Sequence, residues 1–169
     1  MHADDREPDN DGADHGLPSG HALPRSILDS YERATGSSLV PAGIADGEAA
    51  RWLYEAAPFC VLVHNTAPDP HFIYANQAAQ RCFEYSWAEF TSLPSRLSAE
   101  SSNRAERQGL LDQVSRHGYA TGYRGLRIAR SGRRFWIEDV TMCQLTDADG
   151  AVRGQVAIFP RWRDAEADG

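Results

Sequence analysis

Arginine side chains supply the most distinctive chemistry in this sequence, in the polar segment over residues 95–107. Arg96 and Arg104 stand near serines there, and a guanidinium fork suits a carboxylate or a phosphate. One interpretation is the rim of a pocket in which Arg96 or Arg104 holds an anion beside Ser98. The alternative, which we favour, is that Arg96 and Glu100 brace the loop through hydrogen bonds to its backbone.

Other reaction chemistry finds little support in the sequence. Glycine-rich phosphate loops and the G-x-S-x-G nucleophile elbow are absent. Glu138 and Asp139 are neighbours on a predicted strand, so they point to opposite faces and do not form an acid/base pair. Histidine and cysteine spacings match no metal-binding motif. We therefore expect no enzyme activity, no catalytic residues and no metal site. An enzyme that uses an internal cavity is the least favoured alternative.

The middle of the chain predicts two short strands followed by two short helices. Apolar and β-branched residues over 59–64 and 71–75 flank a turn rich in proline, asparagine and aspartate. Asn76 then occupies the N-cap of a helix over 77–83, where its side-chain oxygen can accept a bond from a free backbone N–H. Residues 86–90 have the serine and glutamate spacing of a capping box and predict the second helix.

A long helix and a three-strand meander are predicted next. The helix covers residues 103–117 and carries Leu111 on its apolar side. The strands cover residues 121–130, 133–145 and 151–160, and turn residues separate them. This part of the chain therefore predicts an antiparallel sheet covered by the long helix.

The first turn of the meander, Ser131-Gly132, is typical of a two-residue hairpin. Such a turn sets the register and places Cys143 and Leu145 on the same face as Phe135, toward the helices. The predicted pairs are Ile128 with Phe135, Leu126 with Ile137 and Arg124 with Asp139.

The opposite face of the meander mixes charged and aromatic side chains, as expected where a leading helix or a partner covers a sheet. A helix over residues 46–57 is predicted to lead the domain and adds a tryptophan. The predicted interaction face consists of Trp52, Tyr123, Arg127 and Trp136.

The order of these blocks resembles a PAS domain, and more closely the MEKHLA family, a PAS-like module. The resemblance lies in HNTAPDPHFIYAN, FEYSWAEFTSLPSRLSAE, NRAER and YRGLRIARSGRRFWIE, within residues 58–159. It implies an α+β fold: a PAS-like five-stranded antiparallel sheet with helices on one face, plus N-terminal helices. In PAS domains the long helix walls the ligand pocket. The predicted ligand-binding residues are Asn76, Arg96, Ser98, Arg104 and Leu111.

The cofactors of PAS domains give a further expectation. The light-sensing flavin type has a cysteine at the start of the long helix, where this chain reads NRAER. The heme type has a histidine on or near that helix, and His117 stands only at its far end. We therefore expect no cofactor. A small metabolite in the pocket and a filled, ligand-free core both stay open, and we favour the filled core.

Length and composition predict one domain with short appendages. The chain has 169 residues, of which 41% are hydrophobic, enough for one core. Residues 1–21 are predicted to be a disordered acidic tail, and residues 22–57 to form N-terminal helices and a linker. Residues 58–160 are predicted to form the PAS-like MEKHLA domain, and residues 161–169 a C-terminal tail.

The charge and the cysteine content of the sequence limit the expected partners and the expected cellular compartment. The net charge of −7, without a clustered basic face, argues against nucleic-acid binding. No apolar run approaches the roughly 20 residues of a membrane span, and no signal peptide is evident. The three cysteines are far apart in apolar segments, as expected of free thiols in a reducing compartment. We expect a cytoplasmic protein that contacts neither nucleic acid nor membrane.

The family resemblance implies a sensory or regulatory module. No output segment is recognisable, so we predict a stand-alone PAS-like module that acts through ligand sensing or protein–protein interaction. Its partners would be a second copy of the chain, a signalling protein or an unidentified small metabolite. The alternative is a ligand-free structural dimerisation module.

Overall fold

The computed structural model describes residues 22–99 and 104–165. The predicted acidic tail over 1–21, the predicted contact of Glu100 and the predicted helix start at Asn103 lie outside the described residues. The helices α1 to α5 span Ala22–Thr35, Ala49–Glu55, Gln77–Phe83, Trp87–Phe90 and Arg104–His117. The strands β1 to β6 span Cys60–His64, Phe72–Ala75, Tyr119–Ile128, Arg134–Thr146, Val152–Phe159 and Arg161–Asp164.

The strands form one antiparallel sheet in the order β2-β1-β5-β4-β3, with β6 also paired to β4. Helices α3, α4 and α5 pack on the inner face, which carries Leu62, Ile137 and Phe159. Helices α1 and α2 pack on the outer face, which carries Val61 and Val156. The predicted α+β architecture, an antiparallel sheet with helices on one face plus N-terminal helices, is confirmed.

The turn from β2 into α3 is built on Asn76, which is completely buried. Its Oδ1 accepts from the backbone N–H of Ala79 at 3.1 Å and of Val61 at 3.0 Å. Its Nδ2 donates to the backbone oxygens of Leu53 at 3.1 Å and Phe59 at 2.9 Å. The predicted N-cap is confirmed, and the same side chain also ties α2 and β1 to α3.

The short helix α4 begins at the predicted capping box. The backbone N–H of Glu89 donates to Ser86 Oγ at 3.2 Å, and that of Ser86 donates to Glu89 Oε1 at 3.1 Å. The cap directs Phe90 into the core, where its ring meets Phe72 at 4.9 Å and Phe83 at 5.5 Å, both edge to face. This part of the prediction is confirmed.

The register of the β3–β4 hairpin differs by one residue from the prediction. Phe135 lies opposite Arg127 rather than Ile128, because the loop holds three residues and not two. Gly132 ends this loop with a φ of 92°, a left-handed conformation that glycine adopts without strain and that three-residue hairpins require. The predicted pairs of Ile128 with Phe135 and of Leu126 with Ile137 were therefore wrong. Arg124, predicted opposite Asp139, lies where the register shifts between the pairs Tyr123–Val140 and Gly125–Ile137.

A bulge in β4 changes which side chains face inward. Asp139 has a φ of 54°, and the β3–β4 pairing shifts beside it. Phe135 faces inward before the bulge and Val140 after it, although their separation in sequence is odd. Cys143 and Leu145 consequently pack on the outer face. Their predicted placement on the face of Phe135 was wrong because a bulge adds one residue to a strand.

The chain continues past Pro160 as β6, within the segment 161–169 that the sequence analysis assigned to a tail. Strand β6 extends the register of β5 along β4, with Arg161 opposite Glu138. Pro160 has no backbone N–H, so it interrupts the ladder locally without ending the sheet. The sheet has six strands where five were predicted.

Candidate functional site

A cavity lies between α5 and the inner face of the sheet, with a volume of about 40 Å³. One water molecule needs roughly 10–15 Å³ of such volume, so the space holds only a few atoms. Most of its wall is apolar side chains of α5 and the sheet. The polar groups that line it are His64, Ser98, Arg107, Tyr123 and Arg127. An apolar pocket with a few convergent polar groups is the usual form of a small-molecule site.

Arg107 reaches the cavity from α5. It lies on the buried side of the helix, in helical spacing with Leu110 and Val114. Its Nη2 donates to Ser95 Oγ at 2.6 Å. Burial, and then repulsion from Arg127, lowers the pKa of Arg107 to about 10. The Arg107 side chain is therefore still a cation at neutral pH.

Arg127 reaches the cavity from β3. Its Nη1 donates to the Leu126 carbonyl at 2.8 Å, and its guanidinium carbon lies 5.6 Å from the Tyr123 ring centroid. Gly125 lies between these two inward side chains. A Cβ on Gly125 would lie 2.5 Å from Tyr123 Oη and 2.8 Å from Arg127 Nη1. Glycine at this position leaves the room in which both side chains fold over the strand.

Neither Arg107 nor Arg127 forms an ion pair within residues 22–99 and 104–165. All ion pairs found in this part involve other arginines. Both side chains are nonetheless buried, with exposures of 7% and 6%. Burial of a charge is costly unless a partner compensates it. The cavity therefore offers an electrostatic environment suited to an anion.

His64 lies at the end of β1 and also lines the cavity. Its Nδ1 is 3.0 Å from the Asn65 carbonyl, which only accepts, so Nδ1 carries the proton in the neutral ring. Within the described residues, His64 Nε2 and Oε1 of the adjacent Gln155 have no hydrogen-bond partner. Gln155 Nε2 donates to the Leu111 carbonyl at 3.2 Å and to Ser115 Oγ at 3.1 Å. Strand β5 is thereby joined to α5 beside the cavity.

The buried ring of His64 predicts a loss of stability in mild acid. Burial is the main cause that lowers its pKa below 6.5. The Asn65 bond and the adjacent Gln155 side chain oppose this shift, and the charge of Arg107 adds to it. Between the folded and unfolded pKa values the unfolded chain binds more protons. The free energy of unfolding is therefore expected to be constant above about pH 7 and to fall as the pH drops through 6.5.

Urea denaturation between about pH 7.5 and pH 5, above the range in which most carboxylates titrate, measures this effect. The His64→Gln variant is expected to lose the decline. The variant His117→Gln, at the exposed end of α5, is the matched control and should keep it. A wild-type profile as flat as that of His64→Gln would contradict the prediction.

Of the residues predicted to bind a ligand, Ser98 and Leu111 line the cavity. The Ser98 hydroxyl donates to the Ser95 carbonyl at 2.8 Å, and Leu111 contributes to the apolar wall. Asn76 is buried at the junction of α2, β1 and α3 and does not line the cavity. Its hydrogen bonds are structural.

Arg96 and Arg104 do not line the cavity. Arg96 Nε donates to Asp69 Oδ1 at 3.1 Å, and both side chains are about half exposed. Arg104 Nε donates to the Ala99 carbonyl at 3.3 Å, the kind of backbone contact that the loop-bracing alternative describes. The arginine of this segment that lines the cavity is Arg107. Its spacing from the buried leucines of α5 is the signal in the sequence that identifies it.

The four residues of the predicted interaction face do not share one surface. Tyr123 and Arg127 line the cavity on the inner face, because the register is shifted by one residue from the prediction. Trp136 faces the other side of the sheet, where the guanidinium carbon of Arg124 lies 3.8 Å from its ring centroid. Trp52 packs edge to face against another aromatic ring at 5.8 Å.

Metal ligands do not cluster in the part of the chain that the structure describes. No three side chains of histidine, cysteine, aspartate or glutamate are close enough there to hold a metal ion. The three cysteines are buried and free, and none lines the cavity. Across these same residues, no helix combines the length and the apolar character that crossing a membrane requires.

The chain was also compared with models of protein families. A family model described as the MEKHLA domain matches residues 21–164. The match starts before α1 and ends with β6, so both N-terminal helices and the sixth strand lie within it. A search among curated proteins found no match.

Solved structures with this fold include a PAS domain from Colwellia psychrerythraea. It superposes with a TM-score of 0.59 at 16% identity, over 70% of this chain and 94% of that chain. A light-oxygen-voltage domain studied with a flavin analogue superposes with a TM-score of 0.51 at 17% identity, over 64% of this chain and 78% of that chain. A blue-light-activated histidine kinase from Erythrobacter litoralis superposes with a TM-score of 0.53 at 20% identity, over 66% of this chain and 35% of that chain. These similarities establish the PAS and light-oxygen-voltage fold.

The cavity does not fit a flavin. Its volume of about 40 Å³ is far below the roughly 300–1,000 Å³ of pockets that hold ligands of that size. The side chains of Arg107, Tyr123 and Arg127 occupy the space between α5 and the sheet. No cysteine lines the cavity to form a bond to a flavin ring. We therefore do not propose a role for a flavin in this chain.

Proposed function

The chain belongs to the MEKHLA domain family and has the fold of PAS and light-oxygen-voltage domains, and on this premise we propose that it is a sensory or regulatory module that responds to a small ligand beneath α5. The observation that carries the proposal is the cavity lined by two buried guanidinium groups and by a histidine nitrogen that has no hydrogen-bond partner in the described part of the chain. Buried polar groups without partners require an explanation, and a bound ligand supplies one. The proposed role is binding and not catalysis.

The contacts around the cavity provide a route from the ligand to the N-terminal helices. Gln155 of β5 holds α5 through the Leu111 carbonyl. The next residue of the strand, Val156, belongs to the outer cluster with Leu28 of α1 and Leu53 of α2. A ligand that shifts α5 would therefore act on β5 and, through it, on α1 and α2.

Two glycine substitutions give a matched pair of variants. Gly125→Ala places a methyl group against the mobile ends of Tyr123 and Arg127, so we expect the fold to persist and the cavity to be altered. Gly109→Ala lies on the exposed side of α5, where an added Cβ meets nothing within 4 Å. Alanine there is expected to stabilise the helix by about 0.5–1 kcal/mol.

A thermal-shift panel of small metabolites, applied to the full chain, tests the proposal. Native mass spectrometry of the purified protein detects any ligand that stays bound during purification. We expect at least one compound to raise Tm of the wild type and of Gly109→Ala, and to raise that of Gly125→Ala by less than half as much. No shift with any compound, together with the mass of the bare chain, would overturn ligand sensing.

Homodimerisation is a second candidate function, favoured by the outer face of β3 and of the first half of β4. Leu126, Ile128 and Trp136 on this surface are only half-buried and belong to neither core cluster of the described residues. Size-exclusion chromatography over a range of concentrations tests it. A monomer at every concentration would exclude this candidate.

A further inference from the structure

We propose that the cavity beneath α5 binds a short-chain monocarboxylate of the size of acetate or propionate, with its carboxylate between Arg107 and Arg127. The inference rests on the ligand-binding function proposed above and adds the chemical class of the ligand. It follows from three features of the cavity: two cations that form no ion pair with the described residues, hydrogen-bond donors that those residues leave unused, and a small, largely apolar volume.

The two guanidinium groups have far more donors than acceptors. Each carries five N–H groups. Among the described residues Arg107 donates to Ser95 Oγ and Arg127 to the Leu126 carbonyl. Both acceptors are neutral, so no negative charge within residues 22–99 and 104–165 compensates the two cations in their interior of low dielectric. A carboxylate supplies the missing charge, and its two oxygens match the fork of a guanidinium.

The neighbouring polar groups favour a site at the arginine end of the cavity. The Tyr123 hydroxyl lies close to Arg127, since both would contact one added atom on Gly125, and it can serve as a further donor to an anion. His64 Nε2 is a hydrogen-bond acceptor in the neutral ring, so it does not contribute a bond to a carboxylate. The oxygens of the anion are therefore directed to Arg107 and Arg127.

The volume limits the anion to a few atoms. At roughly 10–15 Å³ for each water-sized group, about 40 Å³ accommodates an acetate and, with slight movement of side chains, a propionate. Nucleotides, sugar phosphates and larger dicarboxylates exceed this space. The ligand is consequently a small anion with a single charged group.

The rest of the wall distinguishes a carboxylate from an inorganic oxyanion. Leu62, Leu111, Val140 and Met142 are among the apolar side chains that line the cavity. An alkyl group gains free energy from burial against such side chains, whereas an oxygen atom of nitrate or bicarbonate would lose its hydrogen bonds to water. Affinity should therefore rise from formate to acetate and propionate, and fall again for longer chains.

Isothermal titration calorimetry on the full chain, at constant ionic strength set with sodium chloride, tests the inference. Sodium acetate and sodium propionate are expected to bind saturably, with one ligand per chain. Acetamide, which has nearly the shape of acetate without its charge, is expected not to bind. Nitrate and bicarbonate should bind at least tenfold more weakly than propionate.

Methionine substitutions remove the charge and retain the length of the side chain. Arg107→Met and Arg127→Met are each expected to weaken acetate binding at least tenfold. Arg96→Met, at the exposed ion pair with Asp69, is the matched control and should leave binding unchanged. Each change removes a buried cation that forms no ion pair with any described residue. Without ligand, both cavity variants should therefore unfold at a Tm equal to or above that of the wild type.

The outcomes separate this inference from the proposed function. Equal binding of acetate and acetamide, or an equal loss in Arg96→Met and Arg107→Met, would overturn the carboxylate assignment. If an uncharged compound of the metabolite panel still binds and Gly125→Ala weakens it, the sensing function stands alone. If no compound binds, both fail. Should the methionine variants not fold, the comparison of acetate with acetamide on the wild type decides.

Discussion

Replacing Asn76 with alanine is expected to lower the free energy of unfolding by about 3–5 kcal/mol. The change removes all four hydrogen bonds of a completely buried side chain. The N–H groups of Val61 and Ala79 and the carbonyls of Leu53 and Phe59 lose their side-chain partner where little water can replace it. Urea denaturation followed by circular dichroism measures the loss.

Ser86→Ala is the matched control for this prediction. Ser86 also caps a helix through one side-chain hydrogen bond, but it is exposed and water can satisfy the freed N–H. The expected loss is therefore only about 1 kcal/mol. A loss in Asn76→Ala no larger than that in Ser86→Ala would show that Asn76 acts as an ordinary helix cap and does not join three elements.

Gly154→Ala is expected to destabilise the fold by about 3 kcal/mol or more, because it forces two paired strands apart. A Cβ at this position would overlap the carbonyl oxygen of His64 and lie 3.2 Å from its carbonyl carbon. Both are backbone atoms of β1, which cannot rotate away as the end of a side chain can. Urea denaturation again provides the measurement, and ligand binding should weaken because His64 lines the cavity.

Gly125→Ala is the control for this steric argument. Its added Cβ also overlaps other atoms, but these are the ends of the Tyr123 and Arg127 side chains, which can move. The expected loss of stability is therefore below about 1 kcal/mol. If Gly154→Ala and Gly125→Ala lost similar amounts of stability, β1 and β5 would be able to move apart and accommodate the methyl group. That result would contradict the prediction.

The sequence predicted the features that depend on neighbours along the chain. The cap at Asn76 and the capping box at Ser86 were recognised correctly, since one helical turn decides each of them. The α+β fold followed from the order of such blocks and from the family resemblance. Hydrophobic periodicity alone did not fix the order of the strands.

The register of the sheet could not be predicted from these local signals. Ser131-Gly132 is compatible with a two-residue turn and with the end of a three-residue loop, and only the observed backbone of Gly132 distinguishes them. The bulge at Asp139 then shifts the alternation of β4 once more. Both features depend on how the sheet packs against its helices. The three-residue loop explains the wrong face predicted for Arg127, and the bulge explains that predicted for Cys143 and Leu145.

The residues of the cavity also show which features can be predicted from neighbours along the chain and which cannot. Arg107 continues the apolar stripe of α5, and that spacing was available in the sequence. Arginine is nevertheless among the residues that are seldom buried, so its polarity argued against the position that its spacing indicated. The role of Gly125 depends on atoms brought together only in the folded chain.

Strand β6 determines how far the chain can be shortened from its C-terminal end. Its four side chains are all exposed, which suggests at first that they are dispensable. A chain truncated after Pro160 would, however, leave residues 135–138 of β4 with unpaired backbone groups along one edge. Such an edge is a template for pairing with other chains, so we expect the truncated protein to aggregate. In the intact chain, four surface residues protect an interior strand from self-association.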